Sequence, residues 1–461
     1  MKPVKNLALL SSAVLACSIN IAFAKVSEQE AARLEKDLTP LGAERAGNKD
    51  GSIPAWTGKM LGLPAGLTYG GDGTALPDPY ASEKPLFVID HTNFSKYKER
   101  LSEGQLALFA KYDDFKMPVY LSHRDGRYYP EFEAKTRINA THTELTNGIE
   151  GVANFSGGVP YPIPQNGAEV IWNTRQGVVY GTLNGVSDDI GVFANGSYAK
   201  RQQDTVQENI FSNPNVKVGT AQSELGVYSA YILVTVSEPA RDKGKITLIH
   251  EPVDYVANSR DAWIYLPGTR RVRRAPTVGY DTPDGPGGLM TIDDMLGFNG
   301  AMDRFEWKLI GKRELYVPYH NYKFDDPNIK YETLLPKGHV NSDYMRYELH
   351  RVWVVEAQLK PSARHIYAKR RFYVDEDSWN NVASDAYDGH NELWRTSMIN
   401  SVYNYAAKGY VNRALIYHDL RASHYVAIRM VNEQKGPPRL TTAPRGVDFF
   451  NPDKLRQAGT R

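Results

Sequence analysis

A fourteen-residue segment, Trp263-Ile-Tyr-Leu-Pro-Gly-Thr-Arg-Arg-Val-Arg-Arg-Ala-Pro276, places aromatic residues, a turn and four arginines side by side. Pro267-Gly268 is typical of a tight turn, because Pro presets φ and Gly supplies a positive φ. The segment therefore predicts a β-hairpin. Two interpretations fit it. The arginines lie on the solvated side of an antiparallel sheet, or the hairpin lines a groove for a ligand with an apolar body and an anionic head.

The neighbouring sequence extends this hairpin into an antiparallel meander. Residues 227–236 form an apolar run, a turn follows at 241–244, and residues 245–253 alternate before the hairpin begins. Further strands are predicted at 307–310, 345–359, 363–374, 382–388 and 414–431. Residues 391–408 read as a helix with Trp394, Met398, Val402 and Tyr405 on one face.

These elements predict an α+β fold with a large curled antiparallel β-sheet, shaped as a half-open barrel, and helices on its concave side. The helix 391–408 is expected to plug that side. The predicted organisation is a signal peptide (1–24), an extended N-terminal arm (25–90), a mixed helical and hairpin region (91–220), the sheet with its plug helix (221–431) and a C-terminal arm (432–461).

The first 24 residues predict a secretory signal peptide. Lys2 and Lys5 precede an apolar stretch, and Ala22-Phe23-Ala24 is a cleavage site of small residues. Cleavage near Ala24 would place the mature chain in the bacterial periplasm. The alternative is a lipoprotein signal acylated at Cys17, because residues 14–17 partly resemble a lipobox.

Composition excludes several classes of function. The net charge of +2 includes the two signal lysines, so the mature chain carries about zero and lacks the basic character of a nucleic-acid-binding protein. Cys17 is the only cysteine, so cleavage removes every thiol nucleophile. No hydrolase elbow, phosphate loop or dinucleotide motif is present. We predict no enzymatic activity, no cofactor and no metal, and interpret Asp375-Glu-Asp377 as a charged hairpin tip rather than a cation site.

Aromatic residues are abundant, with 29 Tyr, 15 Phe and 7 Trp. They suit either cross-strand packing or contacts to an amphiphile, since Tyr and Trp join an apolar body to a polar tip. If the aromatic residues contact an amphiphile, we predict that Trp263 and Tyr265 touch its apolar body. Arg271 and Arg273 would then contact its head group or a protein partner. The predicted ligand-binding residues are Trp263, Tyr265, Arg271, Arg273, Trp353 and Trp394.

Several long motifs resemble a proteobacterial family of periplasmic proteins labelled outer-membrane lipoprotein-sorting proteins. They occur in the family's order along nearly the whole mature chain, with one departure at Trp172-Asn173-Thr174, where the family's Asn precedes His. The motifs are Leu38-Thr-Pro-Leu-Gly-Ala-Glu-Arg-Ala-Gly-Asn-Lys-Asp-Gly-Ser-Ile-Pro-Ala-Trp-Thr-Gly58, residues 263–276, Asp293-Asp294, Phe298-Asn-Gly300, Tyr316-Val-Pro-Tyr319 and Arg371-Phe-Tyr-Val-Asp-Glu-Asp-Ser-Trp379.

The resemblance implies a fold similar to the lipoprotein carriers LolA and LolB, which hold acyl chains in a half-open barrel. It also implies partners in an inner-membrane transporter and an outer-membrane protein. We therefore predict a periplasmic carrier or chaperone for a hydrophobic or lipid-like molecule, with peripheral contact to a membrane. The alternatives are a non-catalytic scaffold of a transporter assembly, whose arms 37–81 and 432–461 dock onto other proteins, and a hydrolase.

Overall fold

A computed structural model describes residues 25–275 and 279–458. The predicted signal peptide and Cys17 lie outside the described residues. The strands are β1 (Phe87–Ile89), β2 (Met117–Val119), β3 (Glu144–Thr146), β4 (Gly151–Ala153), β5 (Thr182–Val192), β6 (Tyr198–Asn209), β7 (Tyr228–Glu238), β8 (Ile246–Pro252), β9 (Asp261–Leu266), β10 (Arg271–Arg274), β11 (Pro283–Asp284), β12 (Met290–Thr291), β13 (Phe305–Pro318), β14 (Tyr347–Leu359), β15 (Lys369–Asp375), β16 (Asn381–Tyr387), β17 (Leu393–Asn404), β18 (Gly409–Asp419) and β19 (His424–Met430).

The helices are short. The α-helices are α1 (Glu28–Ala31), α2 (Glu103–Lys111), α3 (Pro130–His142), α4 (Gly167–Gln176), α5 (Gln222–Leu225), α6 (Tyr331–Leu334) and α7 (Leu455–Ala458). The 3₁₀ helices are Ala32–Glu35, Phe94–Arg100, Pro286–Gly288, Ile292–Asp294, Ser342–Tyr344, Val447–Phe450 and Pro452–Lys454. Among the described residues, none of the helices combines the length and the hydrophobicity needed to span a lipid bilayer.

One 15-stranded sheet dominates the molecule, and its strand order is β1-β2-β14-β15-β16-β17-β18-β19-β5-β6-β7-β8-β9-β10, with β13 paired to β14. Its pairings are antiparallel, apart from the contact of β2 with β14. The predicted fold class, a large antiparallel sheet with helices, is confirmed. The sheet begins at β1 and β2 and includes β5 and β6, so it draws on more of the chain than the predicted region 221–431.

The opening hairpin forms as predicted, although its turn differs. Arg271 pairs with Leu266, and Val272 pairs with Tyr265. The connection covers residues 267–270, and its positive φ, 52°, belongs to Arg270 rather than Gly268. The four strands β7 to β10 are consecutive neighbours, which confirms the predicted antiparallel meander.

The predicted plug helix 391–408 is wrong. These residues form β17 and the turn into β18, with Tyr403 opposite Tyr410 and Asn404 opposite Gly409. Nine consecutive residues, 396–404, are buried. Apolar pairs recur four positions apart, at Met398-Ile399 and Val402-Tyr403, and the strand register shifts between Ile399 and Ser401. The strand therefore lacks the alternation of a half-buried strand and imitates a helical pattern.

Helices cover both faces of the sheet rather than one. The N-terminus of α2 meets one face, where the Gly104 N–H donates to Asp385 Oδ1 at 3.1 Å. Asp385, Arg371 and Glu356 are successive cross-strand partners on that face. Val355, the chain neighbour of Glu356, points to the opposite face and lies near Gly167 of α4. The strands between β13 and β18 therefore have a packed layer on each side.

The two arms, which the scaffold alternative would dock onto other proteins, pack on the chain's own sheet. Leu41 and Ile53 of the N-terminal arm are buried, and the Trp379 indole N–H donates to Leu41 O at 2.8 Å. In the C-terminal arm, Phe450 and Leu455 are buried against one face of the meander. The arms thus complete the core instead of extending from it.

Candidate ligand-binding site

A cavity of about 350 Å³ opens at the β1–β2 end of the sheet, and we call it the edge cavity. A volume of this size is at the lower end of the range for small-molecule sites. Its apolar wall consists of Leu86, Phe87, Val119, Leu121, Tyr316 and Leu349. Its polar end is formed by residues 122–125 and by Ser52 and Thr57 of the N-terminal arm.

Hydrogen bonds along β14 hold the segment that follows β2 in place. The Tyr120 N–H donates to Tyr347 O at 2.9 Å, and the Ser122 hydroxyl donates to Leu349 O at 2.7 Å. On the other side of β2, the Leu86 N–H donates to Val119 O at 2.7 Å. The cavity is therefore built on a paired and rigid backbone.

Two large apolar side chains lie exposed at the edge cavity. Leu86 is 57 % exposed and Leu121 is 54 % exposed. Deeper in, the Phe87 ring stacks on Tyr97 with centroids 5.2 Å apart and meets Tyr316 edge-on at 6.0 Å. An aromatic floor beneath an exposed apolar rim offers a surface that an apolar ligand would shield from water.

Arg124 closes the polar end of the cavity, and its side chain is 1 % exposed. Nε and Nη2 donate to the two carboxylate oxygens of Asp377 at 2.7 and 2.8 Å. Nη2 also donates to Glu44 O at 2.7 Å, and Nη1 donates to Ala46 O and Pro54 O at 3.3 and 3.1 Å. Arg124 thus ties the N-terminal arm to the β15–β16 connection.

His123 connects the cavity wall to a buried ionic network. Its ring stacks on Tyr80 with centroids 4.0 Å apart, and its Nε2 lies 2.7 Å from Glu83 Oε1. Arg346 donates to Glu83 at 2.7 Å and to the buried Glu348 at 2.6 Å. The network therefore runs from the cavity wall into the core.

The network ends at His350 and Asp375, which are both buried. His350 Nδ1 lies 2.9 Å from Asp375 Oδ1, and its Nε2 lies 3.5 Å from Glu348 Oε2. Burial alone would lower the pKa of His350, but the Asp375 and Glu348 carboxylates outweigh it and raise the pKa to about 10. His350 is therefore a buried imidazolium at neutral pH.

His350, Asp375 and Asp377 have the composition of a metal site, with potential ligand atoms within 4.8 Å of one another. Their oxygens already have other partners. Asp375 accepts hydrogen bonds from His350, the Tyr319 hydroxyl and Ser378. Arg124 engages both oxygens of Asp377. The group is better explained as a set of internal ion pairs. Glu376 and Asp377 follow the last residue of β15, Asp375, in the connection to β16, and their charges are turned inward.

None of the six predicted ligand-binding residues lines the edge cavity. Tyr265 is buried on the face of the meander that the C-terminal arm covers, and Trp263 packs beside it against His250 at 4.8 Å. Trp353 on β14 stacks on Trp379 and lies 4.6 Å from Lys312 Nζ. Trp394 at the start of β17 donates to Asp419 at 2.9 Å. The structure brings Trp263 and Tyr265 together but separates them from Trp353 and Trp394.

Arg271 and Arg273 are exposed on β10, the last strand of the sheet. Neither has an ion-pair partner within residues 25–275 and 279–458. Arg273 is the cross-strand partner of Ile264, and Arg271 is the partner of Leu266. Both arginines therefore point to the face opposite Tyr265 and Trp263, so the predicted aromatic and basic contacts do not form one site.

The face with these arginines is the less covered side of the meander, and we call it the open face. Cross-strand register places six apolar residues on it, each partly exposed and none part of a packed apolar cluster within the described chain. They are Ile232, Val234, Ile249, Ala262, Ile264 and Leu266. A partly exposed apolar face next to two arginines that have no ion-pair partner in the described part of the chain is a second candidate surface.

The motifs that suggested a family are used largely for packing. Arg370 donates to Asp293 and Asp294 at 2.9 and 2.8 Å, and all three side chains are buried. Sequence reasoning missed the edge cavity, whose residues come from five separated stretches. The cavity is marked by the exposed side chains of Leu86 and Leu121, and the sequence does not show that they are exposed.

A family model described as "Protein of unknown function (DUF1329)" matches residues 88–456. Uncharacterized protein PA3922 of Pseudomonas aeruginosa is 43% identical over 462 residues, covering 98% of this chain and 99% of that protein. The family resemblance seen in the motifs is thereby confirmed.

Two solved structures are also similar over part of the chain. One is a putative outer membrane lipoprotein-sorting protein domain from Vibrio parahaemolyticus, with 15% identity and a TM-score of 0.40, covering 60% of this chain and 92% of that one. The other is a DUF1329 family protein from Desulfovibrio piger, with 13% identity, a TM-score of 0.40 and the same coverage.

Proposed function

This chain belongs to the DUF1329 family, and on that premise we propose that it is a periplasmic carrier that shields the apolar part of a lipid-like molecule in the edge cavity. The carrier works beside an envelope transport system, whose inner-membrane transporter and outer-membrane protein are its proposed partners. The proposal assigns no catalytic step, no metal and no cofactor.

The observation that carries this proposal is the edge cavity, with its exposed Leu86 and Leu121 and its aromatic floor. Burial of a methylene group gains roughly 0.8 kcal/mol, so about eight methylenes would gain about 6 kcal/mol. That free energy corresponds to a dissociation constant between millimolar and micromolar. Such a ligand is held firmly enough for transport and weakly enough for release.

A binding titration tests the proposal. The mature chain is titrated with a neutral fluorescent apolar probe, and native mass spectrometry checks for co-purified lipid. We expect Leu86→Ser with Leu121→Ser to weaken probe binding at least tenfold. The matched control is Val218→Ser with Val256→Ser, which changes two exposed valines away from the cavity. Equal affinity of both double variants, or no binding by the native chain, would refute a carrier role for this cavity.

The cellular location is tested at the N-terminus. Cleavage at Ala24 predicts a mature chain that begins at Lys25 and fractionates with the periplasm. A diacylated Cys17 would instead show that the carrier is anchored to a membrane. Mass spectrometry of the protein purified from cells distinguishes the two forms.

The open face favours a second candidate function, a scaffold that docks onto a transporter. Because both arms pack on the chain itself, Ile264 and its neighbours with Arg271 and Arg273 are the surface that a partner would cover. A photo-crosslinking residue at position 264 should then capture one envelope protein in cells, whereas the same residue at exposed position 218 should not. Crosslinking that is equal at both positions would argue against the scaffold.

A further inference from the structure

We propose that the edge cavity selects amphiphiles whose polar group is neutral or cationic and disfavours anionic ones such as fatty acids. This inference rests on the proposed carrier function and specifies its ligand class. It follows from the hydrogen-bonding groups at the polar end of the cavity, where the head of a bound amphiphile would lie.

Arg124 is the single Lys or Arg among the described residues that line the cavity. A guanidinium has five N–H donors. Nε uses one on Asp377, Nη1 uses two on Ala46 O and Pro54 O, and Nη2 uses two on Glu44 O and Asp377. No donor is left for a ligand, so an arginine that would normally favour an anion is already saturated.

His123 is the remaining basic side chain among the described lining residues. Its Nε2 is taken by Glu83 at 2.7 Å, and its Nδ1 lies 4.0 Å from Asp125 Oδ2. Both ring nitrogens thus face carboxylates of the protein. Three lysines lie two positions along the chain from a lining residue, and all three are exposed and outside the lining: Lys49, Lys59 and Lys84.

Asp125 supplies the unused hydrogen-bonding capacity at the polar end of the cavity. Its Oδ1 accepts a hydrogen bond from the Thr57 hydroxyl at 2.7 Å, while Oδ2 has only the distant His123 nitrogen. Its side chain is 36 % exposed. A carboxylate accepts about four hydrogen bonds, so Asp125 can receive those of a hydroxyl or an ammonium group.

An anionic head would meet the opposite situation. It would lose its hydration next to Asp125 without gaining an N–H donor from Arg124 or His123. Burying a charge without a partner is unfavourable. Hence the polar end, rather than the apolar wall, sets the preference.

Competition with three ligands of one chain length tests this inference. Decanol, decylammonium and decanoate displace the neutral fluorescent probe from the mature chain at pH 7, each below its critical micelle concentration. We expect decanol and decylammonium to displace the probe at concentrations at least tenfold lower than decanoate. Asp125→Asn should weaken the binding of decylammonium several-fold and leave the affinity for decanol unchanged. The amide keeps the hydrogen bond to Thr57 but loses the negative charge.

Asp113→Asn is the matched control, since it makes the same change in net charge at an exposed position outside the cavity. It should alter none of the three affinities. If decanoate displaces the probe as well as decanol does, or if Asp113→Asn acts like Asp125→Asn, the selectivity inference fails while the carrier proposal stands. If the probe itself does not bind in the cavity, the carrier proposal fails and this inference fails with it.

Discussion

The edge cavity and the open face lie at opposite ends of one sheet, and the edge strand is covered differently at each end. At the β1–β2 end, the N-terminal arm and residues 120–125 fold across the sheet and leave a small cavity backed by buried charges. At the β10 end, the last strand carries exposed arginines, and one face of the meander stays partly exposed. Charges on an edge strand discourage further strand pairing.

The two ends of the sheet suit different kinds of partner. A concave site with few polar groups encloses a small ligand, whereas a flat apolar face with charges at its rim fits a larger surface. The cavity end also depends on buried ion pairs, and the meander end depends on apolar packing under the C-terminal arm. Stability measurements can therefore separate the two ends.

The largest expected effect is a pH dependence that originates at the cavity end. In the unfolded chain His350 loses its proton near pH 6.5, while in the folded chain its pKa is about 10. The folded state binds the extra proton between these values, so stability falls as pH rises from 6.5 to 10, by up to about 5 kcal/mol. Urea unfolding across this range should show the decline, and His350→Gln should flatten it. An unchanged slope in the variant would exclude His350 as the source.

The second effect compares an arginine from each end. Arg124→Met leaves Asp377, whose side chain is only 11% exposed, without its partner and should lower the free energy of unfolding by about 3–5 kcal/mol. Arg271→Met removes an exposed arginine and should change it by no more than about 0.5 kcal/mol. Urea unfolding of both variants measures the contrast. Similar losses of stability would contradict the conclusion that Arg124 holds the N-terminal arm on the β15–β16 connection.

The third effect compares the two faces of the meander. Leu248 is fully buried under the C-terminal arm, and Ile264 on the next strand points to the open face. Leu248→Ala should cost about 2–4 kcal/mol, whereas Ile264→Ala should cost about 1 kcal/mol or less. If thermal and urea unfolding give Ile264→Ala the larger cost, the open face is covered in the folded protein.

The smallest expected effect concerns the predicted basic contacts. Arg271→Glu with Arg273→Glu should keep the free energy of unfolding within about 0.5 kcal/mol, since both side chains are exposed and lack ion-pair partners in the described part of the chain. Their effect should appear instead in the crosslinking yield at position 264. A large loss of stability would show that the arginines are structural.

Local sequence was sufficient to predict the meander but not the position of every element. Turns at 241–244 and 267–270 join strands that are neighbours in sequence, so short-range signals indicate the pairing. The prediction failed for 391–408, because a strand buried on both faces lacks an alternating pattern. Local sequence also gave no sign that Trp263 and Tyr265 pack against Phe450 and Leu455 of the distant C-terminal arm.

Short stretches of sequence were enough to predict the family, the antiparallel sheet and the meander, because motifs and hairpin turns are local. The place of the edge cavity depends on tertiary packing. Arg124 and Asp377 are 253 positions apart, and Leu86 joins Tyr316 in one cavity only after the sheet has formed. Burial, saturation of hydrogen-bond donors and exposure of apolar side chains are properties of packing, and packing brings together residues that no local pattern connects.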